Sequence, residues 1–352
     1  MITNIRLQNF RSYKDASFEF DPGVNVIVGP NASGKTNLLE AILLITRGKS
    51  YRVKDADLIF CDDPWARIDA DLGSHHRTVK LELDNNHLQK SFIIEDQTTA
   101  RLTAIKQIPT ILFEPNDLLM LHSSPELRRS FLDELIEQTD ASYGKLLSQY
   151  KRTLLQRNRL LKNGSPDSIR QLFVWDIRLS ELAAQVVSSR LGMIDKINQQ
   201  ASQIYASLAN QATKLTATYS TTLPLDNYAT SFLKKLEKDQ PLDIIRGFTA
   251  AGPHREDVVF SLDGQPIAIS ASRGESRTAL LSLKIIELKI VEAIRKERPI
   301  LLLDDVFSEL DGARRKALTE YMKDYQTFIT TTDADVVMKS LSQKHHIIAT
   351  DA

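Results

Sequence analysis

Residues 24–48, VNVIVGPNASGKTNLLEAILLITRG, constrain this chain more than any other stretch. A DPG turn precedes them, so the apolar opening reads as a buried strand. That strand empties into a glycine loop, and NLLEAILLITR reads as a helix stopped by Gly48. GPNASGKT satisfies G-x-x-x-x-G-K-[ST] in the strand–loop–helix setting that gives the motif its meaning. In that setting the loop Gly29, Pro30, Asn31, Ala32, Ser33 and Gly34 rings phosphates with backbone N–H groups, aided by the positive end of the helix. Lys35 is placed to neutralise the β- and γ-phosphates of ATP, and Thr36 to ligate Mg2+.

A phosphate loop needs an acid partner, and PILLLDDV (299–306) supplies one. Its apolar run reads as a buried strand ending in Asp304, a hard oxygen ligand for Mg2+, direct or through water. Asp305 follows, expected on the other side of the strand end. It is placed to polarise an attacking water as general base. A further turn, SASRGESR (270–277), opens a long helical pattern. Ser272 and Gly274 offer a hydroxyl and an unobstructed N–H to a phosphate at that helix start. Glu275 equally completes a capping box, in which case Ser272 only begins the helix. The residues alone leave both readings open.

Around these motifs the chain changes character twice. ITNIRLQNF and ASFEF read as strands, residues 66–95 as a meander with a tight turn at Asn85–Asn86, and PTILFEP as a short buried strand. From about 126 to 212 the pattern is helical with one break, NGSP (163–166). Leu147, Tyr150, Leu154 and Leu161 share a face before it; Leu172, Leu179, Val186 and Met193 repeat every seven after it. This predicts a helical hairpin whose second arm, over 167–212, spans about 65–70 Å at most. The seam is broken at Ser189 and Lys196, which favours a short hairpin over a long coiled coil. Strand character returns at EDVVFSLDGQPIAIS, with Asp263–Gly264 as a hairpin turn, and YQTFITTTD is expected to close the sheet. The predicted division is 1–122 with 241–352 as an α/β lobe, and 123–240 as a mainly helical lobe.

Composition narrows the partners. Lys plus Arg and Asp plus Glu number 45 each, so the net charge is zero and any nucleic-acid contact needs a local patch. GKLLSQYKRTLLQRNRLLK (144–162) has six basic residues and no acid. Lys145, Arg152 and Arg159 repeat every seven, nearly opposite the apolar stripe, as a phosphate-contacting face or as a solvated one. RGKSYR (47–52), with Arg47, Lys49 and Arg52, is a second candidate near the phosphate loop. Cys61 is the only cysteine, which excludes an internal disulfide and a multi-cysteine zinc site and suits a reducing cytoplasm. His75–His76 and His345–His346 are expected at the surface or in turns. MITNIRLQNF lacks a signal-peptide core and no apolar run is long enough to span a membrane, so a cytoplasmic location without a membrane partner is expected.

The order of phosphate loop, SxGE, LLLDD and SELD (308–311) resembles that of ABC-type ATPases. The opening block IRLQNFRSYKDASFEF, then SSPELRRSFLD, AGPHRED, SRGESRTALLSLKIIEL, LLLDDVFSELD and TFITTTD, narrows the resemblance to the RecF family over almost the whole chain. That resemblance implies an α/β P-loop ABC-type ATPase head with a mixed sheet and a second, mainly helical lobe, related to SMC heads without their long coiled coil. It implies ATP and Mg2+ as cofactors and a slow ATPase. It implies an ATP-dependent homodimer in which Ser272, Gly274 and Glu275 meet the partner's nucleotide in trans. Ser308 and Asp311 fall in the family's D-loop. The implied partners are DNA at single-strand gaps and duplex junctions, and RecR and RecO in loading RecA. Glu275 stands where Gln is common, Asp305 where transporters place Glu, and TTT (330–332) where transporters carry a switch histidine. Gln107 is a nearby candidate for the Q-loop. Arg128, Arg129, His254 and Arg255 lie in matching blocks without a role legible in the sequence. The rival readings are another short-coil SMC-like ATPase, which lacks room here for a nuclease module, and a transporter ATP subunit.

Overall fold

In the computed structural model all residues are described except 62, 74, 85–86, 340–344 and 351–352. The turn expected at Asn85–Asn86 therefore lies outside the described residues. The chain divides into two compact units: Met1–Asp117 with Glu287–Ala352, and Leu118–Ile286. The second unit thus begins near the expected boundary but keeps residues 241–286, which the sequence reading had returned to the first lobe. The strand Asp257–Leu262 pairs antiparallel with Leu215–Ser220, and this ladder holds the segment in the second unit.

The first unit contains a parallel and an antiparallel sheet. The parallel sheet orders its strands His345–Ala349, Val24–Val28, Thr327–Thr331, Ile300–Asp304 and Thr110–Phe113. Ile300–Asp304 and Thr327–Thr331 are buried throughout, as interior parallel strands should be. Thr327–Thr331 therefore does not close the sheet, as expected from sequence, but separates the phosphate-loop strand from the acid strand. The edge beside Val24–Val28 belongs to the half-exposed His345–Ala349 strand, so His345 and His346 lie in a ladder, not a turn.

The antiparallel sheet runs Tyr13–Glu19, Asn4–Phe10, Trp65–Asp71, His76–Asp84, His87–Ile94 and Gln97–Thr99. Alternate residues such as Ala66, Ile68 and Ala70 point inward, the period-two signature of a half-buried strand. They share a core with Leu39, Ile42 and Ile45 of the Lys35–Arg47 helix, which fixes that helix and its loop between the two sheets' side chains. Gly48 ends the helix in the left-handed region (φ 76°), its N–H reaching Leu44 O at 2.9 Å.

In the second unit the hairpin is formed by Tyr143–Asn163 and Pro166–Ala209. Gly164 (φ 63°) stops the first arm; Ser165 caps the second by accepting from Ser168 N, with Pro166 in the first turn. The second arm is one helix of 44 residues, about 66 Å at 1.5 Å per residue. Leu172, Leu179, Val186 and Met193 are buried as the sevenfold spacing predicts, and Leu147, Tyr150 and Leu161 line the facing arm. A second break, unexpected from sequence, separates Pro125–Thr139 from Tyr143–Asn163. There the Asp140 carboxylate accepts from Ser142 N and Ser142 Oγ, the local turn that Asp and Ser offer in place of helix. Asp263 and Gly264 both have positive φ, 47° and 82°, and form the expected hairpin turn. Its return strand is only Gln265–Pro266: Pro266 donates no N–H, and Ile267–Ser270 is helical where the sequence read as strand. The long helix Arg273–Arg295 follows, and the boundary of the unit falls within it, after Ile286.

Candidate nucleotide-binding site

The phosphate loop is shaped by what its residues lack. A β-carbon on Gly29 would collide with the Ser33 and Thr350 hydroxyls and with the Thr350 carbonyl oxygen, so only glycine fits there. Gly34 has φ 89°, and a β-carbon there would lie 2.5 Å from the Tyr13 hydroxyl. Ala32 is also left-handed (φ 68°), which curls the loop. The helix starts at Lys35 with no side-chain cap and no acid in its first turn. Its first N–H groups therefore face the loop without a capping side chain, and the positive helix end adds to their pull on an anion. These features fit a polyphosphate.

Lys35 is buried, and its ammonium donates to Gly29 O at 2.8 Å and Pro30 O at 2.7 Å. Burial lowers its pKa, and the carboxylates of Asp305 and then Asp304 oppose that shift. Both acids thus act on one cation. Asp304 does so from the end of its strand. Asp305 has left strand geometry, with φ 52° and ψ 25°, so the simple alternation expected across the strand end does not apply.

Three hydroxyls hold Asp304. Thr36 and Thr330 donate to its Oδ1 at 3.0 and 2.8 Å, and Tyr51 donates to Oδ2 at 3.1 Å. The Thr36–Asp304 pair offers adjacent hard oxygens at the carboxyl end of a parallel sheet, a donor set that suits Mg2+. The sequence places Tyr51 in the basic segment RGKSYR and Thr330 in TTT, but neither belongs to the phosphate-loop or acid motif, so their hold on Asp304 is not legible there. Tyr51 is positioned by the turn after the helix: buried Glu40 pairs with Arg11 Nε at 2.9 Å and accepts from Ser50 Oγ, which in turn accepts from Arg52 N and Val53 N. Burial and the neighbouring Asp304 raise the Tyr51 phenol well above its usual range.

The same turn corrects one nucleic-acid candidate. Arg47 is buried in the last turn of its helix, so it offers no phosphate-facing surface, whereas Lys49 is half-buried and Arg52 exposed. The apolar sequence around Arg47 packs that helix into the core on nearly all sides. Gln107 turns its amide to Leu102 O at 3.3 Å, a local loop contact.

In the second unit Ser272 and Glu275 form the capping box. Ser272 N and Oγ donate to Glu275 Oε2 at 2.8 and 2.7 Å, and Glu275 N donates to Ser272 Oγ at 3.3 Å. Those bonds hold the Glu275 carboxyl below its usual range. Ser272 and Glu275 are exposed, Gly274 is half-buried, and the neighbouring Ile269 is 86% exposed. In the first unit Ser308 Oγ donates to Asp305 O at 2.7 Å, and Asp311 caps Gly312–Met322 by accepting from Arg314 N at 2.9 Å.

Lys145, Arg152 and Arg159 are all exposed on one helix. Arg157, among the same six basic residues, is fully buried and pairs with Asp176 and Asp243 at 2.6 and 2.8 Å. Arg128 grips Asp257 with two nitrogens at 2.9 and 2.8 Å, while Arg129 donates to Glu256 O at 2.6 Å. His254 accepts from Tyr150 at Nδ1 (2.6 Å) and donates from Nε2 to Thr249 O (3.1 Å). The guanidinium of exposed Arg255 lies 5.2 Å from the Phe248 ring centroid. The matching blocks thus include structural clasps that tie residues more than a hundred positions apart.

Comparison with known proteins agrees with this arrangement. A family model described as RecF/RecN/SMC N terminal domain matches residues 1–351. The DNA replication and repair protein RecF of Heliobacterium modesticaldum is 36% identical over 343 residues, covering 94% of this chain and 92% of that protein. RecF of Lactobacillus johnsonii is 36% identical over 347 residues, covering 95% and 93%. A structure described as the recombination mediator protein RecF-ATPrS in the RecFOR pathway matches with a TM-score of 0.88 at 30% identity, covering 100% of this chain and 97% of the other. Its RecF-ATP counterpart matches at 0.83 and 31% identity, covering 94% and 92%. An SMC head bound to a winged-helix domain of ScpA, at 16% identity and a TM-score of 0.55 over 99% and 93% of the two chains, shares the fold alone. No described helix is long and apolar enough to cross a membrane. Motif order, site geometry and these likenesses converge: the chain belongs to the RecF family of DNA replication and repair proteins, ATP-binding members of the RecF/RecN/SMC group.

Proposed function

We propose that the chain is an ATP-controlled DNA clamp of recombinational repair, a cytoplasmic protein that works with RecO and RecR to help load RecA at single-strand gaps and duplex junctions. The observation that carries this reading is the cluster of Lys35, Thr36, Asp304 and Asp305 at one end of the parallel sheet. ATP is held by the loop Gly29 to Thr36. Thr36 and Asp304 would be the protein's oxygens for Mg2+, which would supply neutralisation of the charge developing on the phosphates. Asp305 orients the attacking water and accepts its proton as the bond from the γ-phosphorus to the leaving ADP oxygen breaks.

Two copies close on ATP, each presenting Ser272 and Gly274 to the other's γ-phosphate. Exposed Ile269 beside that loop supports a contact face there, and Ser308 and Asp311 serve as the D-loop. ATP favours the closed dimer only through its higher affinity for that state. DNA stimulates a slow hydrolysis, and hydrolysis releases the clamp. Lys145, Arg152 and Arg159 supply a local basic surface on the second unit, and Lys49 and Arg52 a separate candidate on the first.

Light scattering with and without ATP, repeated on gapped DNA, tests this reading. Asp305→Asn is expected to bind ATP, hydrolyse it slowly and remain dimeric longer. Asp304→Asn is expected to lose Mg2+-dependent nucleotide binding. Equal loss of nucleotide affinity in both variants contradicts the separate assignments.

A further inference from the structure

We propose that Thr330 is a positioning residue for ATP hydrolysis, one whose single hydroxyl fixes the two acids relative to each other. Thr330 lies on the strand between the phosphate-loop strand and the acid strand, in register with Ile27 on one side and Asp304 on the other. It is fully buried. Its hydroxyl donates to Asp304 Oδ1 at 2.8 Å and accepts from Asp305 N at 2.9 Å. A hydroxyl has one proton. Committing it to Asp304 leaves the oxygen lone pairs for the Asp305 N–H, so both acids are held through one atom.

That bond matters because Asp305 is a non-glycine residue in the left-handed region, φ 52°. That conformation is unfavourable for a residue with a β-carbon unless the surroundings hold it. The Thr330 oxygen does so, and it keeps the Asp305 N–H from being buried without an acceptor. On the other acid, Oδ1 is shared by Thr36 and Thr330. If Thr36 were to hold Mg2+, Thr330 would be the remaining donor to that oxygen. Thr330 therefore holds Asp304 in orientation when Thr36 is engaged elsewhere, and holds Asp305 in place at the same time.

The inference rests on the separate assignments of Asp304 and Asp305 above. The test compares full-length Thr330→Val, which keeps the shape and removes the hydroxyl, with Thr330→Ser, which keeps the hydroxyl. ATP affinity, its Mg2+ dependence and turnover are measured on each. Thr330→Val is expected to lose at least about tenfold in kcat, the scale of one charge-assisted hydrogen bond. Its ATP affinity at saturating Mg2+ should stay within about threefold of wild type, while the Mg2+ concentration for half-maximal binding rises. Thr330→Ser is expected to restore both. If Thr330→Val does not fold, Thr330→Ala carries the same comparison. Wild-type turnover in the hydroxyl-free variant, or equal damage in Thr330→Ser, overturns the proposal. Asp305→Asn separates the two levels: wild-type turnover there removes the acid assignment itself, whereas slow turnover with an unaffected Thr330→Val removes only Thr330.

Discussion

His254 shows how a single side chain carries a pH dependence. Burial is the main cause that depresses its pKa to about 4, so the folded state keeps the ring neutral over a range in which an unfolded histidine charges. Between pH 6.5 and 4 the unfolded chain binds the extra proton, and stability falls as pH falls. The loss amounts to at most roughly 3 kcal/mol, and less because solvent still reaches part of the ring. A denaturant midpoint measured across that pH range should drop for the native protein and flatten for His254→Gln. An equal slope in the variant would assign the effect to other groups. The sequence shows the AGPHRED block but not this behaviour, because it is set by burial, opposed by the bond to Thr249 O and reinforced by Arg255, Arg129 and Arg190, and the burial and the two distant arginines come only with the fold. Lys35, Thr36 and Asp304 were legible for the opposite reason: their motifs specify the local backbone that positions them. Tyr51 and Thr330 join that site through turns and strand order, which no short pattern encodes.

At the scale of elements, hydrophobic spacing located the hairpin arms but could not sort their charges. Arg157 lies in the same basic run as Arg152 and Arg159, yet it is buried because Asp176 and Asp243, from two other helices, meet it there. Neither acid is near in sequence, so their pairing was invisible. The exposed Arg152 and Arg159 remain the phosphate-facing candidates. Replacing both with Gln should weaken duplex DNA binding without changing ATP affinity. The log–log salt slope should flatten by roughly 1.8 if two phosphate contacts are lost, at about 0.9 each. An unchanged slope would move the DNA surface elsewhere, Arg52 being the next candidate. The interior placement of Thr327–Thr331 was also beyond the pattern: a buried apolar run reads alike at the centre and near the edge of a parallel sheet.

For the whole molecule, zero net charge means that the proposed DNA binding and self-association would both depend on local surfaces. In the proposed clamp each ATP is read by two chains. Ser272→Arg should cost only on the order of 1 kcal/mol as a lost cap, and it leaves the phosphate loop of its own chain unchanged. Lys35→Ala should fold without holding ATP. Mixed, the two variants retain one intact composite site, with ATP on the Ser272→Arg chain facing the unaltered Ser272 loop of the Lys35→Ala chain. Light scattering of that equimolar mixture with ATP is the direct measurement. Heterodimers and partial phosphate release are expected from two proteins that are each monomeric and inactive alone; a mixture that stays monomeric and inactive, with both variants folded, would rule out reading of ATP in trans.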